Sequence, residues 1–186
     1  MMVMVDGVRL NSSRTASRQL DSIDPFNIAR IEIISGATSL YGGGSTGGLI
    51  NIVTKKGQPE TEVEFQTGTK SGFNSHNDHD DNVAASVSGG NDNASGRLSV
   101  AYQRYGGWYD GKGDEVLIDN TQTGLQYSDR LDVMGTGTLN IDEHQQLQLT
   151  TQYFKSESDG KHGLFLGENF SAVTGSATAY NKGNQE

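Results

Sequence analysis

Cysteine is absent from the 186 residues, which excludes disulfides and thiolate metal sites but leaves the compartment open. Hydrophobic residues make up only 33% of the chain. No run approaches the length of a spanning helix, about 18 consecutive apolar residues, so any membrane span must be made of strands, whose signature is weak alternation. The opening Met1-Met2-Val3-Met4-Val5-Asp6 lacks a basic region, a long apolar core and a cleavage site. The expectation is that no signal peptide is present and that the sequence starts inside a larger protein. What is plentiful is glycine, 25 residues, together with Asn, Asp, Ser and Thr in the gaps between short apolar runs. That pattern means many strands joined by turns, and it leaves no room for helix to dominate.

The net charge of -9 argues against nucleic acid as a partner. Its distribution is uneven. Residues 1–58 carry six Lys or Arg and four Asp or Glu, net +2, whereas residues 59–186 carry eight and nineteen, net -11.

The first 58 residues read as a small mixed α/β unit. Val3 to Val5 and Val8 to Leu10 flank Asp6-Gly7, a pair that favours a two-residue hairpin turn because both positions tolerate positive φ. Asp24-Pro25 signals a short turn of helix, with Asp as cap and Pro at the first helical position. Arg30-Ile31-Glu32-Ile33-Ile34 follows as a strand ended by Gly36; Thr38 to Tyr41 is a turn, and Leu49 to Val53 a third apolar strand.

From residue 60 the pattern changes to long alternating strands. Val63, Phe65, Thr67 and Thr69 share one face against Glu62, Glu64 and Gln66; such alternation fits one wet face and one apolar face. The same holds for Val83, Ala85 and Val87, for Leu98, Val100 and Tyr102, for Leu131, Val133, Leu139 and Ile141, and for Leu147, Leu149, Thr151 and Tyr153. The connections alternate between long and short: Ser71 to Asp81, then Gly90 to Asn93, then Gly106 to Asp129, then Asp142 to His144, then a long segment from Ser156. Membrane barrels sort their loops in this way, with short turns at one end and long loops at the other, and a soluble sandwich has no reason to.

Five landmarks in order, Val5-Asp6-Gly7-Val8, Ile23-Asp24-Pro25, Arg30-Ile31-Glu32-Ile33-Ile34-Ser35-Gly36-Ala37, Leu40-Tyr41-Gly42 and Gly47-Gly48-Leu49-Ile50-Asn51-Ile52-Val53-Thr54-Lys55-Lys56, resemble the plug of TonB-dependent outer-membrane siderophore receptors. The later strands resemble the start of that family's barrel of about 22 strands. The resemblance implies a mainly β chain: the C-terminal part of an α/β plug over 1–58, then about five antiparallel strands of a transmembrane β-barrel over 59–186. It implies uptake of a ferric siderophore across the outer membrane of a Gram-negative bacterium, with no enzymatic activity and no cofactor, the ferric complex being the transported ligand. The implied partners are that ligand, the TonB-ExbB-ExbD system through an upstream part, outer-membrane lipid and lipopolysaccharide, and colicins or phage. The stretch Leu10 to Asp24 and the loop Gly106 to Asp129 resemble the branch that takes up citrate-hydroxamate siderophores. Ala29, Ser35 and Ala37 depart from the family's usual Glu, Arg and Pro. The missing Arg leaves Arg30 and Glu32 as candidates for a plug-to-barrel contact.

An anionic ferric chelate needs cations or amide donors and aromatic walls. The resemblance puts Arg14 and Arg18 among the apical plug loops as ligand contacts, with solvated arginines as the alternative. Trp108, Tyr109, Lys112 and Tyr127 in the second long loop are further ligand candidates, whereas Tyr102, Tyr105 and Tyr153 at strand ends suit an interfacial girdle. His76, Asp78, His79, Asp80 and Asp81 could supply metal ligands, but their spacing in a loop fixes no geometry, and a solvated loop is the simpler reading. Gly42 to Gly44 with Gly47-Gly48 lacks the Lys-Ser/Thr ending of a phosphate loop and runs into a strand. A passive porin would have no plug, and a soluble β-sandwich would bury the apolar faces of its sheets. Five strands cannot close such a barrel, so the chain expressed by itself is expected to aggregate.

Overall fold

The computed structural model describes residues 2–9, 22–36, 47–116, 125–159, 163–166 and 172–175. The chain divides into two compact units, Met1–Phe65 with Ala84–Ala101 and Asp132–Phe154, and Gln66–Val83 with Tyr102–Leu131 and Lys155–Glu186.

In the first unit, strands β1 (Met2–Val5), β2 (Val8–Arg9), β3 (Ile28–Ile34) and β4 (Leu49–Thr54) form a sheet in the order β2-β1-β4-β3. The β1–β2 hairpin pairs Val5 with Val8 around Asp6 at φ 49° and Gly7 at φ 81°, both left-handed as the expected turn requires. β1 runs parallel to β4, and β3 antiparallel to it; Met2, Met4 and Leu49 pack as a small core. A single 3-10 turn, Pro25–Asn27, is capped by the Asp24 carboxylate, which accepts from the Phe26 N–H at 2.8 Å. Strand β3 thus starts two residues before Arg30, where the sequence reading began it.

Asp6 does more than turn the hairpin. Its carboxylate accepts from the Thr54 N–H (3.0 Å), the Thr54 hydroxyl (2.7 Å) and the Lys56 ammonium (2.7 Å), tying the hairpin to the end of β4. Burial pushes this carboxyl up, but the donors from Lys56 and Thr54 outweigh it and hold the group below the ordinary aspartate range. The stabilisation is therefore fully present above the unfolded-state pKa and is lost as pH falls through the lower folded value. Asp6→Ala in the full-length protein is expected to cost about 2 kcal/mol, typical of hydrogen bonds to a charged group. Hydrogen exchange of the β1 and β4 amides reads it, and the gap between variant and parent should shrink towards pH 3.

Strands β5 (Glu62–Lys70), β6 (Asp80–Gly90), β7 (Ala94–Tyr105), β8 (Ser128–Asn140) and β9 (Gln146–Ser158) form a second sheet in sequential order. The turns β6–β7 and β8–β9 are tight: the Asn91 N–H donates to the Ala94 carbonyl at 2.7 Å and that of Ile141 to Gln145 at 2.9 Å. Connections this short force antiparallel neighbours. Two boundaries and one added strand pair differ from expectation. β6 takes in Asp80 and Asp81, β8 starts at Ser128 rather than near Leu131, and a small antiparallel pair, β10 (Gly163–Leu166) with β11 (Ala172–Gly175), forms in the segment after β9.

The faces of the second sheet are inverted relative to a soluble protein. Ser86, Ser88, Arg97, Ser99, Asp132 and Thr136 are buried, while Val63, Phe65, Val87, Leu98, Val100, Leu139, Ile141, Leu147, Leu149 and Tyr153 are exposed. Water would drive those apolar side chains under cover; a strand set that points them outward and turns its polar side chains inward suits lipid. The strand period also corrects one expectation. Tyr105 lies on the side of Arg97, Ser99 and Ala101, and its hydroxyl donates to Gln103 at 2.5 Å. It therefore cannot join an outward girdle with Tyr102, three residues earlier and on the opposite face. Among the described residues no helix is long and apolar enough to cross a membrane.

Candidate functional site

The inward face of the second sheet holds a buried polar seat for the 3-10 turn. Because Asp24 caps that turn and Phe26 packs with Ala84 and Ala101, Asn27 follows into a fully buried position. Its carbonyl oxygen accepts from Arg97 Nη1 at 2.8 Å and from the Ser99 hydroxyl at 2.6 Å, and its amide donates to Asp132 Oδ2 at 3.4 Å. A neutral amide thus bridges a guanidinium on β7 and a carboxylate on β8. Asp132 also accepts from the Asp24 N–H (3.0 Å) and Gln152 Nε2 (2.9 Å), and Gln152 donates as well to the Ser22 carbonyl at 2.8 Å. Lys55 Nζ and the Arg97 guanidinium lie 4.9 and 5.3 Å from the centre of the Phe26 ring, close enough for cation–π attraction. Lys55 is also paired with Glu64 at 2.8 Å.

None of Asn27, Arg97 and Asp132 was singled out by sequence reasoning. A usable signal existed for two of them. Arg97 and Asp132 are charged residues on the polar faces of their strands, next to Ser95 and Ser99 on one and near Thr136 and Thr138 on the other, and a charge on an inward face needs a partner.

Of Arg30 and Glu32, expected at a plug-to-barrel contact, Arg30 is exposed and Glu32 half-buried. Arg30 Nε pairs with Glu32 at 2.8 Å, and Glu32 accepts from Asn51 at 2.9 Å. Asn51 and Arg30 together hold the Glu32 carboxyl below its ordinary range. Residues two apart on a strand share a face, so the two charges satisfy one another.

The second unit carries the loops. After β7, residues 108–116 fold back on themselves: the Val116 N–H donates to the Trp108 carbonyl at 2.8 Å, Tyr109 bridges Glu115, and Asp110 accepts from the Lys112 and Asp114 N–H groups at 2.8 and 3.0 Å. Those N–H groups, Asp114's foremost, hold the Asp110 carboxyl below its ordinary range. The Tyr127 hydroxyl donates to Glu115, and burial together with that bond pushes the phenol up. The four expected loop residues therefore divide. Tyr109 and Tyr127 organise the fold-back, while Trp108 is 46% exposed and Lys112 is exposed at its tip. Arg14 and Arg18 lie outside the described residues. In the first loop Asp78 is turned inward, accepting from Asn74 and Gly72 N–H groups at 2.9 and 3.2 Å, so it serves the loop backbone.

Residues 1–49 match the family described as TonB-dependent Receptor Plug Domain. The chain is 74% identical over 180 residues to the ferric aerobactin receptor of Klebsiella pneumoniae and 72% identical over 180 residues to that of Escherichia coli, each match covering 97% of this chain. It spans only 25% of the length of these relatives. Among solved structures, the ferric enterobactin receptor from Pseudomonas aeruginosa superposes with a TM-score of 0.61 over 97% of this chain and 27% of that one, at 19% identity, which speaks to the fold.

Proposed function

We propose that this chain, a stretch of a TonB-dependent receptor, supplies plug and wall to an outer-membrane transporter of a Gram-negative bacterium that takes up ferric aerobactin or a related citrate-hydroxamate complex. The observation that carries the reading is the inverted sheet: apolar side chains outward, and a polar face that seats Asn27 of the small N-terminal sheet among Arg97, Ser99 and Asp132. A pore without a plug would have nothing to seat there. The high identity to ferric aerobactin receptors favours that ligand.

In this reading residues 1–58 are plug and residues 59–186 are wall. The protein is a receptor rather than an enzyme, and it needs no cofactor beyond its cargo. The TonB-ExbB-ExbD system supplies the energy for moving the plug. Arg14, Arg18, Trp108 and Lys112 receive the anionic complex at the mouth, Tyr109 and Tyr127 hold the loop that carries Trp108, and Arg30 and Glu32 meet wall beyond this stretch. The deciding experiment is iron-limited growth of a strain lacking the gene: growth on ferric aerobactin should fail and return with the full-length gene, and growth without it would sink the reading. Arg14→Ala with Arg18→Ala, and separately Trp108→Ala with Lys112→Ala, are each expected to weaken binding of ferric aerobactin by the full-length receptor about tenfold, the scale of one interface hot spot. Fluorescence titration measures this, and unchanged affinity would remove the residues concerned.

A further inference from the structure

Beside the seat is a cavity of about 320 Å³ whose lining includes Lys55, Glu62, Glu64, Ser86, Ser88 and Arg97. Arg97 divides its guanidinium. Nη1 donates to Asn27, but Nη2 is shut off from solvent and has no hydrogen-bond partner, and the nearest carboxylate, Glu64, stands 3.8 Å away. The neighbouring cations are matched at closer range, Lys55 by Glu64 at 2.8 Å and Lys56 by Asp6 at 2.7 Å. Arg97, with 4% of its side chain exposed, is thus a buried cation with one arm unused. Ser86 and Ser88, 8% and 7% exposed, stand on the same face of β6 and add two hydroxyl groups to the lining.

We propose that this cavity is a carboxylate-binding site, in which the hydroxyls of Ser86 and Ser88 donate to one carboxylate and the Arg97 side chain turns its unpartnered Nη2 from beside Glu64 towards it. A planar guanidinium arm and short hydroxyls suit that group better than a metal or an apolar ligand. The volume lies at the small end of ligand pockets, so it takes one carboxylate-bearing arm rather than a whole ferric chelate. The inference rests on the transporter reading in one respect: the carboxylate arm of a citrate-hydroxamate complex would then meet this site after leaving the mouth, as a station along the inward face of the wall.

The test uses the purified full-length receptor, with citrate as probe in saturation-transfer NMR and radiolabelled ferric aerobactin for uptake into cells. Citrate should bind the parent protein. Arg97→Lys, which cannot serve Asn27 and the cavity together, should weaken citrate at least tenfold, and the double variant Ser86→Ala/Ser88→Ala at least threefold. The serine hydroxyls make no hydrogen bond to a residue of the seat, so the melting temperature of the double variant should match the parent while its uptake slows severalfold. Absence of citrate binding, or equal binding by parent and serine variant, overturns the proposal; a defect confined to Arg97→Lys assigns that residue to the seat alone and overturns it too. Citrate binding that depends on these residues, in a receptor that takes up no ferric aerobactin, would leave the cavity standing and remove the transporter reading instead.

Discussion

Asn27→Leu in the full-length receptor is expected to loosen the N-terminal sheet from the wall by about 3–5 kcal/mol, the range seen when a buried polar network loses a member. Leucine fills a similar volume, so the cost is not a cavity. It comes chiefly from Arg97 Nη1, which would be left buried and unpaired at about 1–3 kcal/mol or more, and from the bonds that Ser99 and Asp132 lose, although Ser99 keeps the Met134 carbonyl and Asp132 keeps Asp24 and Gln152. Two measurements read the effect: faster hydrogen exchange in β3 and β4, and entry of a large antibiotic such as vancomycin through a poorly seated plug. A charge exchange makes the argument sharper. Asn27→Asp keeps the acceptors for Arg97 and Ser99 but sets two carboxylates against each other at a distance of 3.4 Å. Adding Asp132→Asn restores a donor opposite an acceptor. The double variant should therefore be more stable than Asn27→Asp alone, and the reverse order would show that the amide bridge does not hold the two sheets.

The parts of the fold that could be read from sequence are those decided by neighbours in the chain. Asp6-Gly7 needs both residues at positive φ and has the two residue types that accept it. Asp24-Pro25 contains cap and first helical residue in adjacent positions, and the structure uses both. The long strands are legible because alternation has a period of two, so Leu98, Val100 and Tyr102 declare one face whatever surrounds them. That same rule, applied one residue further, would have moved Tyr105 off the girdle. The error came from weighing its place at the end of the strand above its parity.

The seat was illegible for a different reason. Asn27 and Asp132 are 105 residues apart and Asn27 and Arg97 are 70 apart, and nothing local tells a buried Asn from a surface one. The pairing of Arg30 with Glu32 was missed for the opposite reason: the resemblance drew attention to a long-range contact, and the bond between charges two residues apart on one strand went unread. The loop site was half legible. Aromatics at 108, 109 and 127 could be seen in the sequence, but their division into exposed Trp108 and structural Tyr109 and Tyr127 depends on Glu115, whose carboxylate takes the Tyr127 hydroxyl.

The segment that links the two sheets should tolerate an added methyl group poorly. A Cβ on Gly57 would lie 2.4 Å from the Gly96 carbonyl oxygen and 2.5 Å from its carbonyl carbon and amide nitrogen. These are backbone atoms of β7 and cannot swing aside as the tip of a side chain does. The Ser95 hydroxyl donates to the Gly57 carbonyl at 3.2 Å, so the same approach that excludes a side chain makes a bond. Gly57→Ala is expected to cost about 3 kcal/mol or more, at or above the upper end for overpacking, and Gly57→Val to prevent assembly of the receptor. Gly96→Ala is the informative contrast. Its Cβ would meet only the Thr136 carbonyl oxygen, at 3.4 Å, so it should change stability by less than about 1 kcal/mol in either direction, the loss of chain freedom in the unfolded state offsetting the close contact. Outer-membrane yield and the heat-modifiable mobility of the barrel on gels separate the two. Equal tolerance at both positions would mean that the linker does not lie as closely as described against β7, the strand whose Arg97 and Ser99 hold Asn27.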